Sequence, residues 1–196
     1  MCDTGRDVYK FVNREVRQTH ALRNNNNQVE ELSAGACAKE LSSSIAMQKA
    51  DQMGVVLTGQ YTNEEYKDFL GYFKKLGVTH FYHWVNNADK LNEFDGILYR
   101  GDHNPNTQGL KQAFQENGIT AKPIGDAFSA IESGKLKTVV VAGPEVLSAY
   151  PEVSNVFTRL NKADTLVWLT TCKNEAFEKA NYVIPIKSFT EKNGTF

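Results

Sequence analysis

Short β-branched runs alternate with helical patterns through most of this chain, and the alternation limits the folds open to it. Buried parallel strands are continuous apolar runs, whereas helices between them show apolar residues every three or four positions. Strands are predicted at residues 54–59, 78–85, 96–99, 119–124, 138–142, 164–170 and 182–186. Helical patterns fall between them, at residues 32–50, 62–77, 104–117, 126–133, 144–162 and 175–179. The sequence therefore predicts an α/β domain with a doubly wound, mostly parallel sheet and helices on both faces, a Rossmann-like fold.

The first thirty residues follow a different pattern. They are polar, carry four arginines, and show no sustained apolar period. Four consecutive asparagines at residues 24–27 favour a turn, because their side chains compete for backbone hydrogen bonds. We therefore expect residues 1–30 to form an extended N-terminal arm, and residues 31–196 to form the Rossmann-like domain, cut short at its C-terminal end.

Composition excludes several classes of partner. The 196 residues carry a formal net charge of -1, so nothing in the charge balance favours nucleic acid. No apolar run approaches the roughly 20 residues of a membrane span, so direct membrane insertion is not expected. The three cysteines, Cys2, Cys37 and Cys172, are too few and too widely spaced for a disulfide framework.

One loop lies where doubly wound folds bind ligands. The fingerprints G-x-G-x-x-G and G-x-x-x-x-G-K-[ST] are both absent. Gly101-Asp102-His103-Asn104-Pro105-Asn106 nevertheless follows a predicted strand and precedes a predicted helix. Asp102 and Asn104 are the candidate cofactor-binding residues there. The competing interpretation is a turn and helix N-cap at Asn104-Pro105.

The two ends of the chain carry a family resemblance. The start, Cys2-Asp3-Thr4-Gly5-Arg6, resembles the segment that carries the fourth cysteine of an iron–sulfur cluster. The closing E-K-N-G-T-F and the preceding A-N-Y-V-I-P resemble, in order, E-K-x-G-T-F and A-D-x-V-L-P. These motifs are similar to those of the large iron–sulfur subunit of NADH-quinone oxidoreductase (respiratory complex I), within the molybdopterin oxidoreductase superfamily. Residues 28–175 match this family only in the alternation of strand and helix patterns and in the Asn-Pro loop.

The resemblance implies a fragment of an electron-transfer subunit. Cys2 would be a [4Fe–4S] ligand in the intact parent only, because one thiolate cannot hold a cluster. The fragment itself would be a scaffold without a cofactor and without NADH oxidation. Its expected partners are the other peripheral-arm subunits, and its expected location is cytoplasmic, peripheral on the inner or cell membrane.

Two alternatives stay open. The first is the pterin-nucleotide-binding domain of a molybdopterin oxidoreductase such as a formate dehydrogenase, with residues 102–106 contacting a guanine dinucleotide. Thr4 disfavours this alternative. In the molybdenum-bearing relatives the matching motif resembles C-x-K-G, and its lysine, at the position of Thr4, lies between the cluster and the pterin. The second is a stand-alone α/β nucleotide-binding module, which the missing glycine fingerprint disfavours.

Overall fold

The architecture is an α/β fold built around one large sheet. The computed structural model describes residues 16–86, 93–97, 101–102, 104–145, 150, 152–174 and 176–196. The described strands are β1 (Ala21–Asn25), β2 (Gln28–Leu32), β3 (Met53–Thr58), β4 (His80–Trp84), β5 (Lys122–Pro123), β6 (Thr138–Ala142), β7 (Thr165–Thr170) and β8 (Tyr182–Pro185). They form an eight-stranded sheet in the order β2-β1-β8-β7-β6-β3-β4-β5. Strands β3 to β8 run parallel, whereas β1 and β2 are antiparallel to their neighbours.

Helices pack against both faces of this sheet. They are α1 (Ala34–Met47), α2 (Asn63–Lys75), α3 (Thr107–Glu116), α4 (Ile124–Glu132) and α5 (Val153–Leu160), with short 3₁₀ turns at Ala50–Gln52, Phe177–Lys179 and Phe189–Glu191. Successive strand residues point to opposite faces. Thus Val55 and Leu57 of β3 pack with α1, α2 and α3, while Val56 packs with α4 and α5. Burial on both faces explains the unbroken apolar strands, and the predicted α/β class with a mostly parallel sheet is confirmed.

Helix α2 shows how local sequence sets an element boundary. The Thr62 hydroxyl accepts the Glu65 N–H at 3.2 Å, and the Glu65 carboxylate accepts the Thr62 N–H at 2.9 Å. This reciprocal pair satisfies two backbone donors that a helix start leaves free. Gly77, with φ +82°, follows the helix in the left-handed region that glycine adopts readily. Both predicted ends of this helix are confirmed.

Residues on both sides of the predicted boundary at residue 30 belong to the sheet. Strands β1 and β2 form an antiparallel hairpin, and β1 also pairs with β8, so residues 21–32 extend the main sheet. Asn26 and Asn27 turn the chain with φ values of 52° and 67°. Two consecutive positive φ angles match the twist of a hairpin, and asparagine tolerates them better than most residues. The boundary predicted at residue 30 therefore falls inside a hairpin, and residues 1–15, including Cys2, lie outside the described residues.

Substitution of Asn27 tests the turn between β1 and β2. Asn27→Ala is expected to lower the free energy of unfolding by about 1 kcal/mol, because alanine tolerates positive φ poorly, whereas Asn27→Gly is expected to be neutral or stabilising. Urea denaturation of both variants measures the difference, with Gln28→Ala in the adjoining strand as control. Equal stability of the two Asn27 variants would contradict the assignment of the turn.

Several predicted elements differ from the structure. The strand predicted at residues 119–124 is reduced to Lys122–Pro123, because α4 begins at Ile124. The helix predicted at residues 144–162 is described from Val153 to Leu160. Gly96 and Ile97 are not in a strand, and Ile97 is 80% exposed; residues 98 and 99 lie outside the described ranges. The helix predicted from residue 104 begins at Thr107, because Asn106 rather than Asn104 caps it. The helix predicted at residues 175–179 is a single 3₁₀ turn at Phe177–Lys179. Within the described ranges, no helix has the length and apolar character needed to cross a membrane.

Candidate functional site

The candidate site lies where the strand order reverses. From β3 the chain crosses to β4 on one side, while β6 pairs with β3 on the other side. In open parallel sheets, the loops after two such strands diverge and leave a crevice at their carboxyl ends, where ligands bind. Here those loops begin with Gly59-Gln60-Tyr61 after β3 and Gly143-Pro144-Glu145 after β6.

Hydrogen bonds tie these two loops together. The Tyr61 hydroxyl donates to the Gly143 carbonyl oxygen at 2.7 Å. The Glu145 N–H donates to Gln60 Oε1 at 2.7 Å. Tyr61 is 2% exposed and Glu145 is 1% exposed, so neither side chain faces open solvent. The crevice is therefore bridged by the protein's own groups.

The side chain of Lys192 lies between these two loops. Residues 188–196, which we call the C-terminal strap, lie across this edge of the sheet and carry Lys192. Its ammonium contacts the Glu145 carboxylate, lies 3.0 Å from Glu65 Oε1, and lies 4.6 Å from the centre of the Tyr61 ring. The Lys192 side chain is only 5% exposed. Two carboxylates and an aromatic face thus surround one buried cation.

Further contacts on both sides of Lys192 hold the strap in place. On one side, the Arg17 guanidinium and the Glu191 carboxylate are 2.7 Å apart. On the other side, the Asn63 N–H donates to the Thr195 carbonyl at 2.9 Å, and the Thr195 N–H donates to Glu64 Oε2 at 2.9 Å. The strap is therefore anchored to α2 and to the entering N-terminal segment, with Lys192 between the two anchors.

Burial sets the pKa values in the cluster formed by Tyr61, Glu65, Glu145 and Lys192. Burial raises the pKa of Glu145 to about 7, although the Lys192 ammonium acts in the opposite direction; the nearby Glu65 carboxylate raises it further. Burial, and next the charge of Glu145, also raise the pKa of Tyr61 well above its usual value, so its phenol keeps the proton that it donates. The cluster is thus a neutral phenol and a cation beside a carboxyl group that titrates near neutrality.

A pH dependence follows from Glu145. Its pKa is higher in the folded chain than the ordinary 4.5, so its contribution to stability is complete below pH 4.5 and is lost as the pH rises through 7. Glu145→Gln removes this titration. As the pH rises from 5 to 8, we therefore expect the free energy of unfolding of the variant to increase by about 1–3 kcal/mol relative to that of the parent. Urea denaturation across that range measures the gain, with Glu31→Gln as the exposed control. A pH-independent difference would contradict the assignment.

Asp102 and Asn104 lie together beside this cluster. The Asn104 amide donates to Asp102 Oδ1 at 2.7 Å and to Asn86 Oδ1 at 2.8 Å, and Asn104 Oδ1 accepts the Tyr150 hydroxyl at 2.5 Å. Both residues line a cavity of about 520 Å³, together with Glu93, Phe94, Pro105, Asn106, Thr107, Gln108, Lys111 and Phe196. The two candidate residues are therefore brought to one cavity, and each also has contacts within the protein.

Asn106 is a key residue that sequence analysis underestimates. Its amide donates to the Tyr61 carbonyl and to Asn63 Oδ1, both at 2.9 Å, and its Oδ1 accepts the Gly109 N–H at 3.1 Å. Its own N–H donates to the Gly59 carbonyl at 2.9 Å. An asparagine directly before a helical pattern is an N-cap signal, but the pattern places that signal at Asn104, two residues too early. Asn106 fixes the start of α3 against the loop after β3.

No sequence pattern identifies Glu145, Lys192 and Tyr61 as a cluster. In the sequence, Lys192 is only part of the closing motif, and its contacts with Glu145 and Glu65 span 47 and 127 residues of chain. Periodicity reports local structure, so it carries no signal for pairs this far apart. These residues emerge only from the topology of the sheet.

The described cysteines do not form a cluster site. Cys37 and Cys172 are buried, and burial raises the pKa of the Cys37 thiol. In the part of the chain that the structure describes, no three His, Cys, Asp or Glu residues are grouped to hold a metal ion. The described residues therefore do not fit a [4Fe–4S] cluster. Cys2, the predicted ligand, lies outside them.

Comparison with known proteins adds no relative. A scan of the sequence against models of protein families finds no match. A search of curated proteins finds no significant match either.

Proposed function

We propose that this chain is part of the large iron–sulfur subunit of NADH-quinone oxidoreductase, and that its α/β domain is structural. In sheet order, the parallel strands run β5-β4-β3-β6-β7-β8. This is the order 3-2-1-4-5-6 of doubly wound, Rossmann-type sheets. The order supports the fold of the superfamily that the two terminal motifs resemble, and those motifs support the subunit.

The observation that carries the structural role is the position of Lys192. It belongs to the closing E-K-N-G-T-F motif, and its ammonium is buried at the crevice where a doubly wound fold binds a nucleotide. Glu145 and Tyr61, almost fully buried, line that crevice. Because the described part of the crevice is occupied by side chains of the chain itself, we assign the domain a scaffold function.

The scaffold would hold the segment that carries Cys2. The Gln18 N–H donates to the Thr171 carbonyl at 2.9 Å, and Arg17 forms an isolated bridge with Cys172 at the end of β7. The chain therefore enters the domain at the same edge that the strap covers. In the intact parent, a [4Fe–4S] cluster would supply one-electron transfer, and Cys2 would contribute one thiolate to it. The partners would be other peripheral-arm subunits, at the cytoplasmic surface of the membrane.

Isolation of the parent protein from its native cells tests this proposal. We expect an affinity tag on the parent to co-purify NADH–quinone oxidoreductase activity, and Cys2→Ser to remove one [4Fe–4S] signal from the electron paramagnetic resonance spectrum. Cys37→Ser is the matched control and should leave every cluster signal in place. Purification without such activity, or an unchanged spectrum in Cys2→Ser, would overturn the proposal.

The cavity at Asp102 and Asn104 favours one alternative. At about 520 Å³ it is of a size that binds small molecules, and amides, two carboxylates, a lysine and two aromatic rings line it. A pterin-nucleotide domain would bind a guanine nucleotide there, and a stand-alone module would bind another nucleotide. Both require Asn104→Ala to weaken nucleotide binding, whereas the scaffold proposal expects that variant to change stability alone.

A further inference from the structure

The pocket around the Lys192 ammonium has the composition of a ligand site. Three groups form it: the carboxylate of Glu65 on α2, the carboxylate of Glu145 after β6, and the ring of Tyr61 after β3. We call these three residues the ammonium pocket. They come from separate elements on the two sides of the strand-order reversal. The pocket is therefore fixed by the sheet, whereas its occupant arrives on the strap.

The geometry favours a primary ammonium over other cations. The Lys192 Nζ atom carries three N–H donors, and both carboxylates lie within hydrogen-bonding reach, with the aromatic face 4.6 Å away. A guanidinium spreads five donors over a rigid plane, whereas a primary ammonium directs three donors from one atom towards both carboxylates. A quaternary ammonium has no donor at all.

We propose that the ammonium pocket is a selective binding site for a primary alkylammonium, which the strap fills in cis with Lys192. The natural ligand class is a lysine side chain on an extended peptide segment. The strap then acts as a built-in occupant that closes the crevice. This inference goes beyond the scaffold function and does not depend on the subunit assignment.

Chemical rescue in the full chain tests the proposal. Lys192→Ala removes the three methylenes and the ammonium beyond Cβ, so n-propylammonium matches the deleted atoms. Because a ligand that binds only the folded state stabilises it by mass action, n-propylammonium chloride is expected to raise the Tm of Lys192→Ala saturably, by about 2–4 °C. Tetramethylammonium chloride, sodium chloride and n-propanol at equal concentrations should not.

Two controls make the result specific. The double variant Lys192→Ala with Glu145→Gln should lose the response to n-propylammonium, and Lys67→Ala on the exposed face of α2 should never show it. If Lys192→Ala is unfolded without ligand, the same titration is followed as recovery of the far-ultraviolet circular dichroism signal. Rescue by n-propanol or tetramethylammonium as effective as by n-propylammonium, or no rescue by any of them, would overturn the proposal. Either outcome leaves the subunit assignment, which co-purification decides, unaffected.

Discussion

Lys192→Met is expected to lower the free energy of unfolding by about 3 kcal/mol or more at pH 9, where Glu145 is ionised beside Lys192. The substitution keeps the length of the side chain but removes the cation beside Glu145, which is 1% exposed. Removing one partner of a buried ion pair leaves the other charge uncompensated, so the loss exceeds that of a surface pair. Since Glu145 takes up a proton near pH 7, the loss should shrink as the pH falls from 9 through 7 to 5. Urea denaturation at pH 9 and at pH 5 measures it.

A double-mutant cycle separates the pair from simple loss of packing. At pH 9, Lys192→Met in the Glu145→Gln background should cost at least about 1 kcal/mol less than in the parent, because the neutral amide needs no counter-ion. Lys67→Met, on an exposed position of α2, is the matched control and should stay within about 0.5 kcal/mol of the parent. Additive effects of the two cluster substitutions would show that Lys192 does not stabilise the edge through Glu145.

Asn106→Ala is expected to cost about 2–4 kcal/mol. It removes the N-cap of α3 and leaves the buried Tyr61 carbonyl without the amide that donates to it at 2.9 Å. Loss of an N-cap and an unsatisfied buried acceptor each contribute, and the two losses act on the same loop. Thermal and urea denaturation measure the total.

Two further variants separate the N-cap of Asn106 from the hydrogen bonds that its amide donates. Asn106→Asp keeps an acceptor for the Gly109 N–H but loses both amide donations, so its stability should lie between those of the parent and Asn106→Ala. Asn117→Ala, at the other end of α3, removes a half-buried amide that donates to Ala113 and should cost less. A loss in Asn117→Ala equal to that in Asn106→Ala would contradict a special role for the N-cap.

Local chemistry explains why much of the fold can be predicted. Strands β3 and β6 are buried on both faces, so their sequences are continuous apolar runs that periodicity recognises. The ends of α2 are predictable because Thr62 and Glu65 interact within one turn. The hairpin of β1 and β2 escapes prediction because β2 is a polar edge strand with most residues exposed, so it lacks the apolar alternation that marks a strand.

The site is only partly predictable, for a related physical reason. Asp102 and Asn104 stand out in the sequence because loops at the carboxyl ends of parallel strands form the usual ligand crevice. The crevice at the strand-order reversal is instead filled by Lys192, and its partner Glu145 lies 47 residues away in sequence. Such a pairing depends on where the sheet brings the chain back, which no local pattern records. Residues 1–15, which include Cys2, lie outside the described residues, so the predicted role of Cys2 stays a prediction.

The central claim is that the crevice at the strand-order reversal is closed by the protein's own residues and that the domain holds no nucleotide. Isothermal titration calorimetry of the full chain with guanine and adenine nucleotides tests it most directly. The closed crevice predicts no saturable heat of binding with any of them. Saturable binding of a guanine nucleotide that is lost in Asn104→Ala would contradict the claim and would favour a pterin-nucleotide-binding domain.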